Sequence, residues 1–268
     1  MLYILLALGF LTASAIVACT GFFTAWYWMI PIFIGMWAGG FLVWIIIYLL
    51  WLFIVSILVN KKKEINKPNK FYNYFVTETM KLLLFFSRSK VHMEGEEKVP
   101  RDVKYLLVAN HLSNFDPITC ISKFGRNDLL FVSKPENFSL PIAGGWMHHA
   151  GYMPIDRENP KNALVTINKA AEYLKNQQVS VGIFPEGTRN KTSEPLLEFK
   201  NGAFKIATKA KCPIVVAALK NTRKVQHNFP WKKTDIYVYI EVIPAEEVAV
   251  SNTAQLSARV YEILKEHI

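Results

Sequence analysis

The first sixty residues of this 268-residue chain contain no Asp, Glu, Lys or Arg. No soluble surface can be made from such a stretch, so its place is a bilayer or a buried core. A bilayer crossing takes about 20 apolar residues at ~1.5 Å rise each. Sixty are too many for one helix. A break falls around Thr20, Gly21, Thr24 and the Trp26, Tyr27, Trp28 run, with Pro31 just beyond. This predicts one helix over residues 2–22 and a second over 32–58, joined as a transmembrane hairpin, with the three aromatic rings at the membrane interface. Lys61, Lys62, Lys63, Lys67 and Lys70 follow the second span. By the positive-inside rule that end is cytoplasmic, and a hairpin returns the N-terminus to the same side. Two other readings stand beside this one. A single long tilted helix could follow an interfacial N-terminal segment. The run Ile16, Val17, Ala18, Cys19 also resembles a lipoprotein cleavage box, although the basic start of a signal peptide is missing.

All charge therefore belongs to the remainder of the chain, where 31 Lys and Arg against 21 Asp and Glu leave a net +10. A basic domain tied to an apolar anchor favours anionic partners such as lipid headgroups, acidic carrier proteins or phosphorylated substrates. Nucleic acid would match the charge too, but the anchor argues against it. Cys19, Cys120 and Cys212 are far apart and odd in number, which is no disulfide framework and no metal motif. No grouping of histidines has metal-ligand spacing, so no metal is expected.

Three regions result: a membrane anchor over 1–60, a basic linker and amphipathic helix over 61–90, and a domain over 91–268. In residues 71–90, Asn73, Thr77 and Lys81 form a narrow polar stripe among Phe71, Phe75, Leu82, Leu83, Phe85 and Phe86. Such a helix packs into the domain core, or beds the domain on lipid, or does both. Beyond it, short apolar runs at 105–109, 129–133, 179–184 and 214–219 read as buried strands. Residues 235–243 alternate like a half-exposed strand. Helical patterns fall at 117–123, 161–175 and 202–211, and the last helix shows one apolar face through Leu256, Val260, Ile263 and Leu264. The alternation predicts an α/β fold with a mixed, largely parallel sheet flanked by helices.

Two motifs sit where strands end, the place where ligands bind in open α/β sheets. The first strand runs into Asn110, His111, Leu112, Ser113, Asn114, Phe115, Asp116, Pro117. A histidine can take a proton from a hydroxyl near neutral pH when a carboxylate fixes its ring, and Asp116 is one tight loop away. Asp116 before Pro117 is equally an ordinary helix start of N-cap and N1 residues. The second motif, Phe184, Pro185, Glu186, Gly187, Thr188, Arg189, follows the strand at 179–184. Pro185 and Gly187 mark a tight turn from which Glu186 and Arg189 project. Arg189 suits two-pronged phosphate recognition, or pairs locally with Glu186.

These two motifs, with residues 151–157 (GYMPIDR) between them and 212–218 (CPIVVAA) after, resemble the four ordered blocks of the glycerolipid acyltransferases, of which the 1-acylglycerol-3-phosphate acyltransferases are the commonest members. The resemblance covers roughly residues 90–245. It implies that His111 is the general base and Asp116 its orienting partner. It further implies that Arg189 binds the acceptor's phosphate, that Glu186 and Gly187 shape that loop, and that Lys134 and Arg157 line the acceptor pocket. Lys200 is a further phosphate-contact candidate. The co-substrate implied is acyl-CoA or acyl carrier protein, with no other cofactor. Lysophosphatidic acid is the implied acceptor and phosphatidic acid the product. Glycerol 3-phosphate or another lysolipid is the nearest alternative acceptor. A His-dependent lipid hydrolase would carry a G-x-S-x-G elbow that this sequence lacks, and an inactive membrane-binding module would not need His111 and Arg189. Leu112 and Cys212 depart from the family's usual residues without touching the pair. His148 and His149 could line the pocket; His92, His227 and His267 read as surface or loop residues.

Overall fold

The computed structural model describes residues 1–20, 26–58, 65, 67–125 and 128–268. The expected break at Gly21 and Thr24, the rings of Trp26 and Tyr27, and Lys61, Lys62 and Lys63 lie outside the described residues. The chain divides into two compact units, Met1–Asn60 and Lys61–Ile268.

In the first unit, α1 (Leu2–Thr20) and α2 (Trp26–Leu58) are both long and apolar enough to cross a membrane. They meet where side chains are smallest. A Cβ on Gly9 would lie 2.8 Å from the Phe41 nitrogen, and one on Gly40 would lie 3.1 Å from the Gly9 oxygen. Close backbone approach through small residues is how apolar helices associate without a hydrophobic drive. Indole groups supply the polar links: Trp37 Nε1 donates to Leu6 O at 2.9 Å and Trp44 Nε1 to Thr12 Oγ1 at 3.1 Å. Helix α2 begins earlier than the proline suggested. Pro31 lies inside it, near its N-terminal end, where losing a single N–H leaves most of the ladder intact.

The second unit is built on a seven-stranded sheet. Its strands are β1 (Ser89–Glu94), β2 (Leu106–Ala109), β3 (Leu129–Ser133), β4 (Met153–Pro154), β5 (Ser180–Ile183), β6 (Ile214–Lys220) and β7 (Thr234–Ile243). The order is β1-β7-β6-β2-β5-β3-β4, and every neighbouring pair is parallel except β6 with β7. The mixed, largely parallel sheet is thus present. The central strands are apolar on both faces because helices cover both, so β2 is buried at every residue. β7 alternates as its sequence does.

Helices α3 (Lys70–Phe86), α4 (Phe115–Phe124), α5 (Ala143–Ala150), α6 (Pro160–Lys175), α7 (Lys205–Ala210), α8 (Thr222–Asn228), α9 (Ala245–Val250) and α10 (Thr253–His267) complete the unit. Local chemistry sets several of their starts. Asn69 and Asn159 cap α3 and α6, and Asn252 with Gln255 forms a capping box on α10. The helix expected to continue to residue 90 stops at Phe86, and β1 starts at Ser89, just before the expected domain start at 91. On α3 the polar stripe turns inward at Asn73 and Thr77, which are buried, while Phe71, Tyr74, Phe85 and Phe86 are exposed.

Candidate active site

The carboxyl ends of β2, β5 and β6 bring both strand-end motifs together. Asn110 extends the sheet with its side chain: Nδ2 donates to Leu219 O at 3.0 Å and Oδ1 accepts from Leu219 N at 2.7 Å. This locks the residue before His111 onto β6. Beyond it the chain turns, and His111 Nδ1 lies 2.9 Å from Asp116 Oδ2. The same oxygen accepts the backbone N–H groups of Leu112 at 2.5 Å and Ser113 at 2.6 Å. An oxygen that already accepts two N–H groups faces Nδ1 as an acceptor, so Nδ1 is the donor. The lone pair is then left on Nε2, which has no partner among the described residues. Asp116 is fully buried, whereas the His111 side chain keeps 18% of its surface exposed. Asp116 therefore does not cap the helix start. It is the second residue of α4, whose N-cap is Asn114.

A stack of rings supports the imidazole from below. His111 lies on Phe184 with centroids 4.2 Å apart and planes at 13°, and Phe184 lies on Phe131 at 5.0 Å and 21°. Gly182 makes room for this stack, since a Cβ there would come within 2.6 Å of the Phe131 ring.

Glu186 turns inward rather than projecting. Its side chain is buried; Oε1 accepts from His111 N at 2.6 Å and Oε2 from Leu197 N at 3.1 Å. Two part-buried N–H donors need an acceptor here, and the carboxylate supplies one oxygen to each. Burial pushes the Glu186 carboxyl above its ordinary value, with the two backbone donors pulling the other way. No Glu186–Arg189 ion pair forms. Arg189 is exposed and donates through Nη1 to Asn114 Oδ1 at 2.9 Å, tying the second motif to the first. The turn between them needs Gly187, whose φ is +74°.

The basic candidates separate into two groups. Lys134, Arg157 and Lys200 line a cavity of about 800 Å³ together with Glu186 and Gly187, and its apolar wall includes Val132, Ile167, Ile183 and Ala203. Arg189 and His111 do not line it. Glu136, Asp156 and Glu158 also border this cavity, so it is not uniformly basic. Asp156 is occupied in part by Asn162 Nδ2 at 3.0 Å and by the N–H groups of Glu158 and Asn159.

Arg223 escapes the sequence reading. It donates to the carbonyls of Leu112 at 3.4 Å, Thr192 at 3.5 Å and Asn190, so one guanidinium grips the loops after β2 and β5. Asn190 N also donates to His111 O at 2.7 Å. Position near the end of β6 was the one signal that could have found it. His148 and His149 lie on α5 away from the cavity, and His149 stacks on Tyr72 at 4.8 Å. His92 pairs with Asp235 at 2.7 Å, and His267 stacks on Tyr239. Among the described residues no group of three or more His, Cys, Asp or Glu side chains is placed to hold a metal ion.

At a strand end of this α/β domain, one imidazole nitrogen is held by a buried carboxylate and the other is left open. The acyltransferase family model matches residues 90–220. A 1-acyl-sn-glycerol-3-phosphate acyltransferase of Streptococcus pneumoniae is 31% identical over 180 residues, 63% of this chain and 65% of that protein. One from Saccharomyces cerevisiae is 35% identical over 144 residues, covering 53% of this chain and 46% of that protein. The chain thus spans about half to two thirds of the length of these curated relatives. In fold it resembles the crystal structure of a 1-acyl-sn-glycerophosphate acyltransferase from Thermotoga maritima, with a TM-score of 0.60 and 24% identity over 72% of this chain and 77% of that one. In sequence and in fold the chain is thus similar to acyltransferases, and the relatives named here are 1-acyl-sn-glycerol-3-phosphate acyltransferases.

Proposed function

We propose that this protein transfers a fatty acyl group from an acyl thioester to the free hydroxyl of 1-acylglycerol 3-phosphate, giving phosphatidic acid for phospholipid synthesis. The observation that carries this reading is the His111–Asp116 pair, with Nδ1 engaged at 2.9 Å and Nε2 left open. His111 Nε2 takes the hydroxyl proton as that oxygen attacks the thioester carbonyl. The tetrahedral intermediate then collapses with cleavage of the C–S bond, and the proton passes from Nε2 to the departing thiolate. Asp116 holds the ring and stabilises the imidazolium formed midway.

The acceptor's phosphate is assigned to the 184–189 turn, with Arg189 on the His111 side and Arg157, Lys200 and Lys134 on the cavity side. A cavity with apolar walls and a partly basic rim suits an anionic amphiphile. The donor is acyl-CoA or acyl carrier protein, both acidic and matched by the net charge of +10. The two apolar helices form a membrane hairpin over 1–60, with the linker and helix over 61–90 leading to the catalytic domain over 91–268 on the cytoplasmic face. The alternative acceptors are glycerol 3-phosphate and other lysolipids. Purified protein assayed with a panel of lysolipids and labelled acyl thioesters tests the reading. Phosphatidic acid formed preferentially from lysophosphatidic acid is the expected result. Free fatty acid released without an acylated product would replace it with a hydrolase.

A further inference from the structure

The loop 229–233, between α8 and β7, carries an exposed aromatic tip beside two lysines. Trp231 is 84% exposed and Phe229 51%, and Lys232 and Lys233 are exposed as well. The loop is held in place. Lys232 N donates to Asn228 O at 2.7 Å and Asn228 Nδ2 to Thr234 Oγ1 at 2.8 Å. Arg88 Nη1 donates to Pro230 O at 3.3 Å and Trp231 O at 3.1 Å, and Thr234 N returns a bond to Arg88 O at 3.3 Å. A backbone so tied, with its two largest rings facing out, is built to present them. Arg88 stands two residues past the end of α3, where Phe85 and Phe86 are 56% and 41% exposed. Four exposed rings and three cations thus share one corner of the domain.

Topology decides which end of the sheet this corner occupies. β7 runs antiparallel to β6, so its first residue lies at the carboxyl end of β6 and of β2, the end that carries His111. Leu219, bonded to the Asn110 side chain, pairs with Val238, and Thr234 lies four residues further out. At ~3.3 Å per residue the loop stands about 13 Å beyond the level of Asn110.

We propose that loop 229–233 is a membrane-dipping element: Trp231 and Phe229 enter the headgroup–acyl boundary of an anionic bilayer while Arg88, Lys232 and Lys233 stay at the level of the lipid phosphates. Aromatic rings with a polar rim prefer that boundary, and clustered cations complement anionic headgroups. The element turns the His111 end of the sheet toward the surface from which a lipid acceptor is drawn, and in that consequence it rests on the acyl-transfer reading.

The test does not depend on activity. In full-length protein with Cys19→Ser, which leaves two buried cysteines, Trp231→Cys and Val250→Cys are labelled with an environment-sensitive fluorophore and placed in phosphatidylcholine–phosphatidylglycerol vesicles. Val250 is as exposed, at 85%, but follows the opposite end of β7. The expected result is a blue shift and several-fold stronger quenching by shallow spin-labelled lipid at 231 than at 250. Adding Lys232→Glu and Lys233→Glu should cut that quenching at least twofold. Equal quenching at the two positions overturns the proposal. So does a label at 231 shielded from both lipid and aqueous quenchers, which would mean that a protein surface covers the loop. If the protein transferred no acyl group, the quenching pattern would still decide membrane contact.

Discussion

Replacing Glu186 by Gln separates two roles for a residue that sits between both motifs. The wild-type carboxylate gives one oxygen to His111 N at 2.6 Å and the other to Leu197 N at 3.1 Å. The amide of Gln has a single oxygen, so one backbone N–H must face an NH₂ group whichever way the amide turns. A buried donor left without an acceptor costs about 1–3 kcal/mol. Where that strain displaces His111 relative to its substrate, it corresponds to roughly a 5- to 150-fold loss in kcat. KM for the acceptor should stay within about twofold, because both carboxylate oxygens are engaged by backbone N–H groups even though the residue borders the cavity. Steady-state kinetics with donor and acceptor varied separately, beside thermal unfolding, measure both effects. A rise in acceptor KM with kcat unchanged would refute the scaffold role and make Glu186 a substrate contact. The pH dependence provides a second check. Burial raises the Glu186 carboxyl above its ordinary value, so the folded protein keeps this proton to higher pH than the unfolded chain does. Stability of the wild type relative to Glu186→Gln should then fall as pH rises from the ordinary carboxylate range through the raised value, and level off above it. A difference that grows with pH would mean that the two backbone donors outweigh burial.

His111→Ala should lower kcat by about 10²–10⁴-fold without loss of folding or membrane association, and Asp116→Asn should be severely impaired because it favours the wrong tautomer; more than a few per cent residual activity in purified His111→Ala protein contradicts the general-base role. Arg189→Ala should raise the acceptor KM roughly ten- to a hundredfold with little change for the thioester, and Arg189→Lys should recover part of it; an effect confined to Arg157→Ala or Lys200→Ala would move the phosphate to the cavity side. Gly182→Ala should destabilise the domain by about 1–3 kcal/mol and lower kcat by tilting the ring stack, read by unfolding midpoints and kinetics together. Thiol labelling of both termini in intact cells should find them on the cytoplasmic side, and an external N-terminus would exclude the hairpin.

The central strands and long helices were legible because burial on two faces writes itself as an unbroken apolar run. Leu129–Ser133 and Ile214–Lys220 lie where their apolar runs placed them. The edges were not legible. β1 reads SKVHME, a polar mixture whose strand state comes from its parallel pairing with β7 across a sequence gap that no local pattern bridges. β4 has two residues and no signature of its own. Inside the helical reading of 202–211, a 3₁₀ turn at Asn201–Phe204 precedes α7, a distinction that depends on tertiary packing around the buried Phe204.

At the site, spacing brought His111 and Asp116 into reach because a six-residue loop can close on itself, whereas every part of the support comes from elsewhere in the chain. Phe131 and Gly182 belong to neighbouring strands and create one cavity-and-ring complement only after β3 pairs with β5, with Phe131 opposite Gly182 in register. The inward turn of Glu186 follows from two backbone donors, one of them on the residue that carries the imidazole, and neither is visible in the string that contains Glu186. Arg223 joins the same design from a third strand end. A pair of residues five apart can therefore name the chemistry, while the geometry that makes the pair usable is distributed over β3, β5, β6 and the segments after them. Mutations at Gly182, Glu186 and Arg223 should accordingly act on rate more than on substrate affinity, because each bears on the position of His111 rather than on the ligand.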